Sequence, residues 1–155
     1  MLRLLPILLI FALSPPANAQ DAEQTRAFNE AWFAYSEARD AGSAKRMMQT
    51  ASTVYEIARE LFPADDERLP LLMEHYGQAL LLNGESERAR DMFKEALEQT
   101  REIHGEQSTE VLPILMNYAD SEASFQRSGR QRKLYKEALE IAEAAYGSRS
   151  AEYAL

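Results

Sequence analysis

From Met73 onward the chain aligns with itself at a shift of 42 residues without a gap. Met92-Phe93-Lys94-Glu95-Ala96-Leu97-Glu98 falls on Leu134-Tyr135-Lys136-Glu137-Ala138-Leu139-Glu140, and Tyr76-Gly77 falls on Tyr118-Ala119. The punctuation repeats too: Gly42 and Gly84 lie 42 residues apart, as do Gly105 and Gly147. This periodicity constrains the fold more than any other feature, because a short unit cannot bury its apolar face alone and must stack on the next. An earlier unit is weaker, with Glu56 and Arg59-Glu60 matching Glu98 and Arg101-Glu102.

Each unit reads as two helices. Ala, Glu, Leu and Arg dominate between the glycines, and these are good helix formers. The expected helices run from Glu23 to Ala41, Ser43 to Phe62, about Glu67 to Asn83 and Glu85 to His104. A third pair runs from Ser108 or Thr109 to about Arg127 and from about Gly129 to Tyr146. Asp66 is placed to cap one helix and Gly105 to end another. Pro70 and Pro113 sit in first turns, where a missing N–H costs little. Leu69, Leu72, Met73, Tyr76 and Leu80 form one apolar stripe, and Ala89, Met92, Phe93, Ala96 and Leu97 form another. The fold class expected is all-α: antiparallel helix hairpins stacked as a right-handed α-solenoid.

The second unit resembles a tetratricopeptide repeat. Gly77 is the small residue where the first helix crosses the second, Gly84 marks the turn, and Ala89-x3-Phe93-x2-Ala96 is the small-aromatic-small pattern of the second helix. The 42-residue period and Leu115-Met116-Asn117-Tyr118-Ala119 resemble the long-repeat subtype of kinesin light chains. Unit three departs at Glu122, Gln126 and Gln131, and unit one has Ala51-x3-Tyr55-x2-Ala58 and Pro63, closer to the shorter form. The resemblance implies a concave face, lined by the first helix of each pair, that binds a peptide or protein. Its groove positions would be Asn29, Trp32, Ser36 and Arg39 in unit one. In unit two they would be Glu74, Gln78 and Leu81, with His75 in the place of the subtype's asparagine. In unit three they would be Met116, Asn117, Asp120 and Ala123.

Signs of chemistry are few. There are two histidines, His75 and His104, and no His-Glu-x-x-His spacing. His75 reads as half-buried or as a groove contact, and His104 as a cation favoured at a helix C-terminus. Asp65-Asp66-Glu67 lacks the alternating ligands, glycine and distant glutamate of a calcium loop and reads as capping. With no cysteine, thiolate zinc sites and cysteine nucleophiles are excluded. No phosphate-cradling loop or nucleophile elbow occurs. The expectation is a non-enzyme with no metal and no cofactor. Phe28, Trp32 and Tyr35 form an aromatic stripe that suits packing or a binding hot spot.

The first nineteen residues read as a secretory leader: Arg3, an apolar run from Leu4 to Leu13, and Ala17-Asn18-Ala19 as a cleavage site. That run is about ten residues, short of the roughly 20 that span a bilayer. Cleavage would move the net charge from −8 to −9, because the leader holds one basic residue and no acid. Such a chain should avoid nucleic acid phosphates and anionic lipid. The domains expected are therefore a signal peptide at 1–19 and a repeat domain at 20–155, with units at about 22–63, 66–105 and 108–147 and the start of a further helix at 148–155.

The function expected is an exported protein-binding module, periplasmic or secreted and bacterial. The alternative is a structural or oligomerising segment of a larger envelope protein. Leu134, Tyr135, Ala138, Leu139 and Tyr146 are expected to form an uncovered stacking face. Either the chain is a fragment whose continuation covers that face, or a second chain covers it by self-association.

Overall fold

A computed structural model describes residues 19–125 and 128–147. The expected leader up to Asn18, the turn at Gln126 and the terminal 148–155 lie outside them. Among the described residues six helices follow one another: α1 (Ala19–Asp40), α2 (Ala44–Leu61), α3 (Arg68–Leu82), α4 (Ser86–His104), α5 (Leu112–Ala123) and α6 (Ser128–Tyr146). A 3-10 turn at Thr109–Val111 leads into α5. The all-helical hairpin repeat is as the periodicity predicts. The fifth helix is shorter than expected, ending at Ala123 rather than near Arg127.

The repeating glycines do the same job twice. Asn83 ends α3, and Gly84 takes φ +83°, a conformation that a Cβ disfavours. Its N–H donates to the Leu81 carbonyl at 3.0 Å and the next N–H, of Glu85, to the Leu80 carbonyl at 2.9 Å. That pair of bonds satisfies carbonyls the helix would otherwise leave open. Gly42 repeats the arrangement at the end of α1, with bonds to Arg39 and Ala38 at 2.9 and 3.1 Å. At the helix starts, Asp66 Oδ1 accepts from the Arg68 N–H at 3.0 Å, and the Ser108 side chain accepts from the Glu110 N–H. Both are the polar caps that the sequence suggests.

Helices pack as antiparallel pairs, α1 on α2, α3 on α4 and α5 on α6, and each pair packs on its neighbour through α2 on α3 and α4 on α5. Small residues set the distance. Ala58, Ala89, Ala96, Ala119 and Ala142 are fully buried and let helix axes approach. Gly77 meets the Phe93 ring so closely that a Cβ there would lie 2.6 Å from Cε1. Larger residues fill what remains: Phe28, Tyr35, Leu72, Met73, Phe93, Leu115 and Ile141 are 0–2% exposed. Each contributes roughly 1.5–3 kcal/mol relative to leaving it in water. Lys94–Glu98 and Lys136–Glu140, one repeat apart, form the same i, i+4 pair on the outer face.

The expected stacking face is smaller than the sequence suggests. Leu134 and Ala138 are buried, 8% and 2% exposed, because they point back onto α5 rather than outward. Tyr135, Leu139 and Tyr146 do stand in solvent. Among the described residues no helix is long and apolar enough to cross a membrane.

Candidate functional site

The first helix of each pair carries the expected groove positions, but the structure does not gather them all. In unit one, Asn29 is exposed beside Phe33, Arg26 and Glu30, in a shallow depression on α1 away from the other units. Ser36 is turned inward, its hydroxyl donating to the Trp32 carbonyl at 3.0 Å. Arg39 is exposed and its guanidinium lies beside Asp40. Trp32 does reach the next unit. Its ring lies 5.4 Å from Tyr35 and 5.7 Å from His75, so this half-buried tryptophan closes a small aromatic cluster.

Units two and three do converge. Glu74 sits at the centre, 7% exposed, and is a buried carboxylate rather than the open groove residue expected. Its Oε1 accepts from Asn117 Nδ2 of α5 at 2.9 Å and from Gln78 Nε2 of α3 at 3.1 Å. Two amides from two units thus meet on one oxygen, holding α3 and α5 at a fixed spacing. Burial pushes the Glu74 carboxyl up from its ordinary value, while the Asn117 hydrogen bond works against that shift. Asn117 and Gln78, expected as free groove donors, are therefore partly engaged. Leu81 and Met116 flank them, half-buried against the core.

His75 is the neighbour on the other side. It packs between Trp32 and Tyr35, and its Nδ1 is buried without a hydrogen-bond partner among the described residues. Burial, above all, and the Arg39 guanidinium push its pKa down to about 4. This ring is neutral and belongs to the packing between units one and two. Asp120 is exposed and accepts from the Tyr135 hydroxyl of α6, while Ala123 is exposed at the end of α5.

Sequence reasoning missed two charged contacts. Glu122 is 0% exposed and pairs with Arg130 at 3.4 Å. It stands where an apolar residue was expected, and the basic start of α6 was the signal that could have explained it. Arg101 of α4 pairs with Glu137 of α6 and with Glu106 at 2.9 Å, a bridge from unit two to unit three. Among the described residues no three His, Asp or Glu side chains cluster as a metal site would require.

The family model described as "Tetratricopeptide repeat" matches residues 67–144, from the start of α3 into the last turn of α6. The solved structures include BtubC (BKLC) from P. vanneervenii, which superposes with a TM-score of 0.55 at 20% identity. That alignment covers 84% of this chain and 61% of that one, so the chain spans less than two thirds of its length. At this identity the likeness speaks to the fold alone. No curated protein matches the sequence.

Proposed function

The chain belongs to the tetratricopeptide repeat family, and we propose that it is an exported protein-interaction module that presents the α3–α5 face to a peptide or protein partner. The family is a repeat scaffold without chemistry of its own, and its domains typically bind proteins. The observation that carries the proposal is the junction at Glu74. It fixes Gln78 and Asn117 side by side on adjacent units, with half-buried Leu81 and Met116 beside them. A preorganised surface of mixed polar and apolar groups loses little conformational freedom on binding. The 42-residue period supports the kinesin-light-chain-like subtype, and Met1 to Ala19 supports export.

Affinity capture from an envelope extract with the tagged chain tests the binding half. A partner recovered by the wild type and lost on Met116→Glu, with the melting temperature held, is the expected result. Equal recovery by both chains counts against this face. Intact mass of the exported protein tests the other half: loss of Met1 to Ala19 is expected, and a retained leader in the membrane fraction overturns export.

A further inference from the structure

The Glu74 junction opens on one side into a cavity of about 340 Å³ between the first turns of α3, the end of α4 and the start of α5. That is near the lower end of pocket sizes that hold small ligands. Its apolar part is made by Leu71 and Ile114 with Pro70 and Pro113. Carboxylates of Glu67, Glu74 and Glu110 line the same space. Leu71 and Glu74 lie four and seven residues after Glu67, so α3 offers them as one stripe continuous with Gln78.

Three carboxylates line this cavity against two basic side chains, Arg68 and His104. Arg68 is one of the lining residues, with its Nε and Nη2 donating to Asp66 at 2.7 and 2.6 Å and its guanidinium stacked 3.7 Å above the Phe62 ring. Glu110 is exposed and hydrogen-bonded by Ser108 and Thr109 hydroxyls, which hold its carboxyl below the usual range and keep it ionised. Glu74 is the telling residue. Buried carboxylates are normally matched by a cation. Here both donors are neutral amides, and both end on Oε1. No ion pair to Glu74 is formed among the described residues. Glu74 therefore meets this partly apolar space with neutral amides as its hydrogen-bond partners and no cation paired to it among the described residues.

We propose that this cavity is the specificity pocket of the interaction face and takes a lysine or arginine side chain of the partner, its methylene stem against Leu71 and Ile114 and its cationic head between Glu74 and Glu110. This rests on the partner-binding reading and adds the class of side chain selected. Long basic side chains bury their stems on apolar surface while the head seeks charge, and desolvated opposite charges set specificity more than affinity. The overall charge of −8 would draw such a segment in.

The test uses the whole 15N-labelled chain and blocked amino acids. Nα-acetyl-lysine methylamide is expected to give saturable backbone shifts confined to Glu67–Glu74 and Glu110–Ile114, weakening as salt is raised. Nα-acetyl-norleucine methylamide, with a similar stem and no charge, should leave them in place. Glu74→Gln should weaken the lysine probe about tenfold, with circular dichroism confirming the fold. Glu110→Gln lies on the surface and keeps the test open if the buried substitution unfolds; it should also weaken binding. Equal shifts from norleucine, shifts scattered over the acidic surface, or no shift at all each overturn the proposal. Because no partner is needed, its failure is read separately from failure of the capture experiment.

Discussion

At the scale of single residues, the least tolerant position is Gly77. An added Cβ would stand 2.6 and 2.9 Å from atoms of the Phe93 ring, and that ring is itself fully buried. Alanine would gain up to about 1 kcal/mol in helix propensity, but overpacking costs typically 1–3 kcal/mol and here it wins. Gly77→Ala is therefore expected to lower the urea midpoint, and Phe93→Leu in the same chain to give part of the loss back. His75 sets a second expectation. Its folded pKa of about 4 lies below the ordinary 6.5. Between those values the unfolded chain takes up a proton that the folded chain refuses, so stability falls as pH drops through that window. The loss is at most about 3 kcal/mol. Glu74 acts in the opposite sense, because its raised pKa favours the fold as it becomes protonated. The groups facing His75 are Tyr35 and Arg39 on α1, with Glu74 beside it on α3. His75→Asn should flatten the pH profile of the melting temperature, and Glu74→Gln should steepen the acid loss. Unchanged profiles in both would show that the ring is solvated. The family resemblance puts Glu74, Gln78 and Asn117 on the first helices of two neighbouring units, and the structure brings the three side chains together. Their hydrogen bonding is not legible in the sequence, because a 3.6-residue period gives the face of a helix and not the rotamer of a side chain.

At the scale of the element, the glycine turns are legible in the sequence because positive φ leaves a chemical trace. Gly84→Ala forces a Cβ into that region and should cost about 1–2 kcal/mol. Nothing else changes there, since a Cβ would meet no atom within 4 Å. Thermal unfolding of this variant isolates backbone strain from packing, whereas Gly77→Ala reports packing. Ala96→Leu extends the comparison: Ala96 is 0% exposed on α4, and overfilling it should cost roughly 1–3 kcal/mol. Element boundaries were less legible. α5 ends earlier than the sequence suggests, because Glu122, Ala123 and Ser124 carry no strong stop signal. Its buried glutamate depends on Arg130 of another helix, a contact that no local pattern encodes.

At the scale of the whole molecule, stability is a sum over neighbours. Among the described residues α3 and α4 are packed on both sides, by α2 and by α5, whereas α1 and α6 have company on one. Hydrogen exchange should therefore be slowest in α3 and α4 and fastest toward the outer helices. Uniform protection along the chain would show a single cooperative block instead. This architecture was legible from the 42-residue shift alone, since repetition specifies the packing of one unit on the next and needs no long-range information. The uncovered face was only half legible: the stripe predicted Leu134 and Tyr135 together, but consecutive residues on a helix point about 100° apart, and one of them turns inward. The neighbour-only contacts have a mechanical consequence. Among the described residues α1 and α2 make no close backbone approach to α5 or α6, so a tug on the outer hairpins is resisted at two junctions in series. Each junction yields by a small rotation, and the molecule deforms like a leaf spring. A partner that bridges α3 and α5 would clamp one of its leaves and make the whole stiffer.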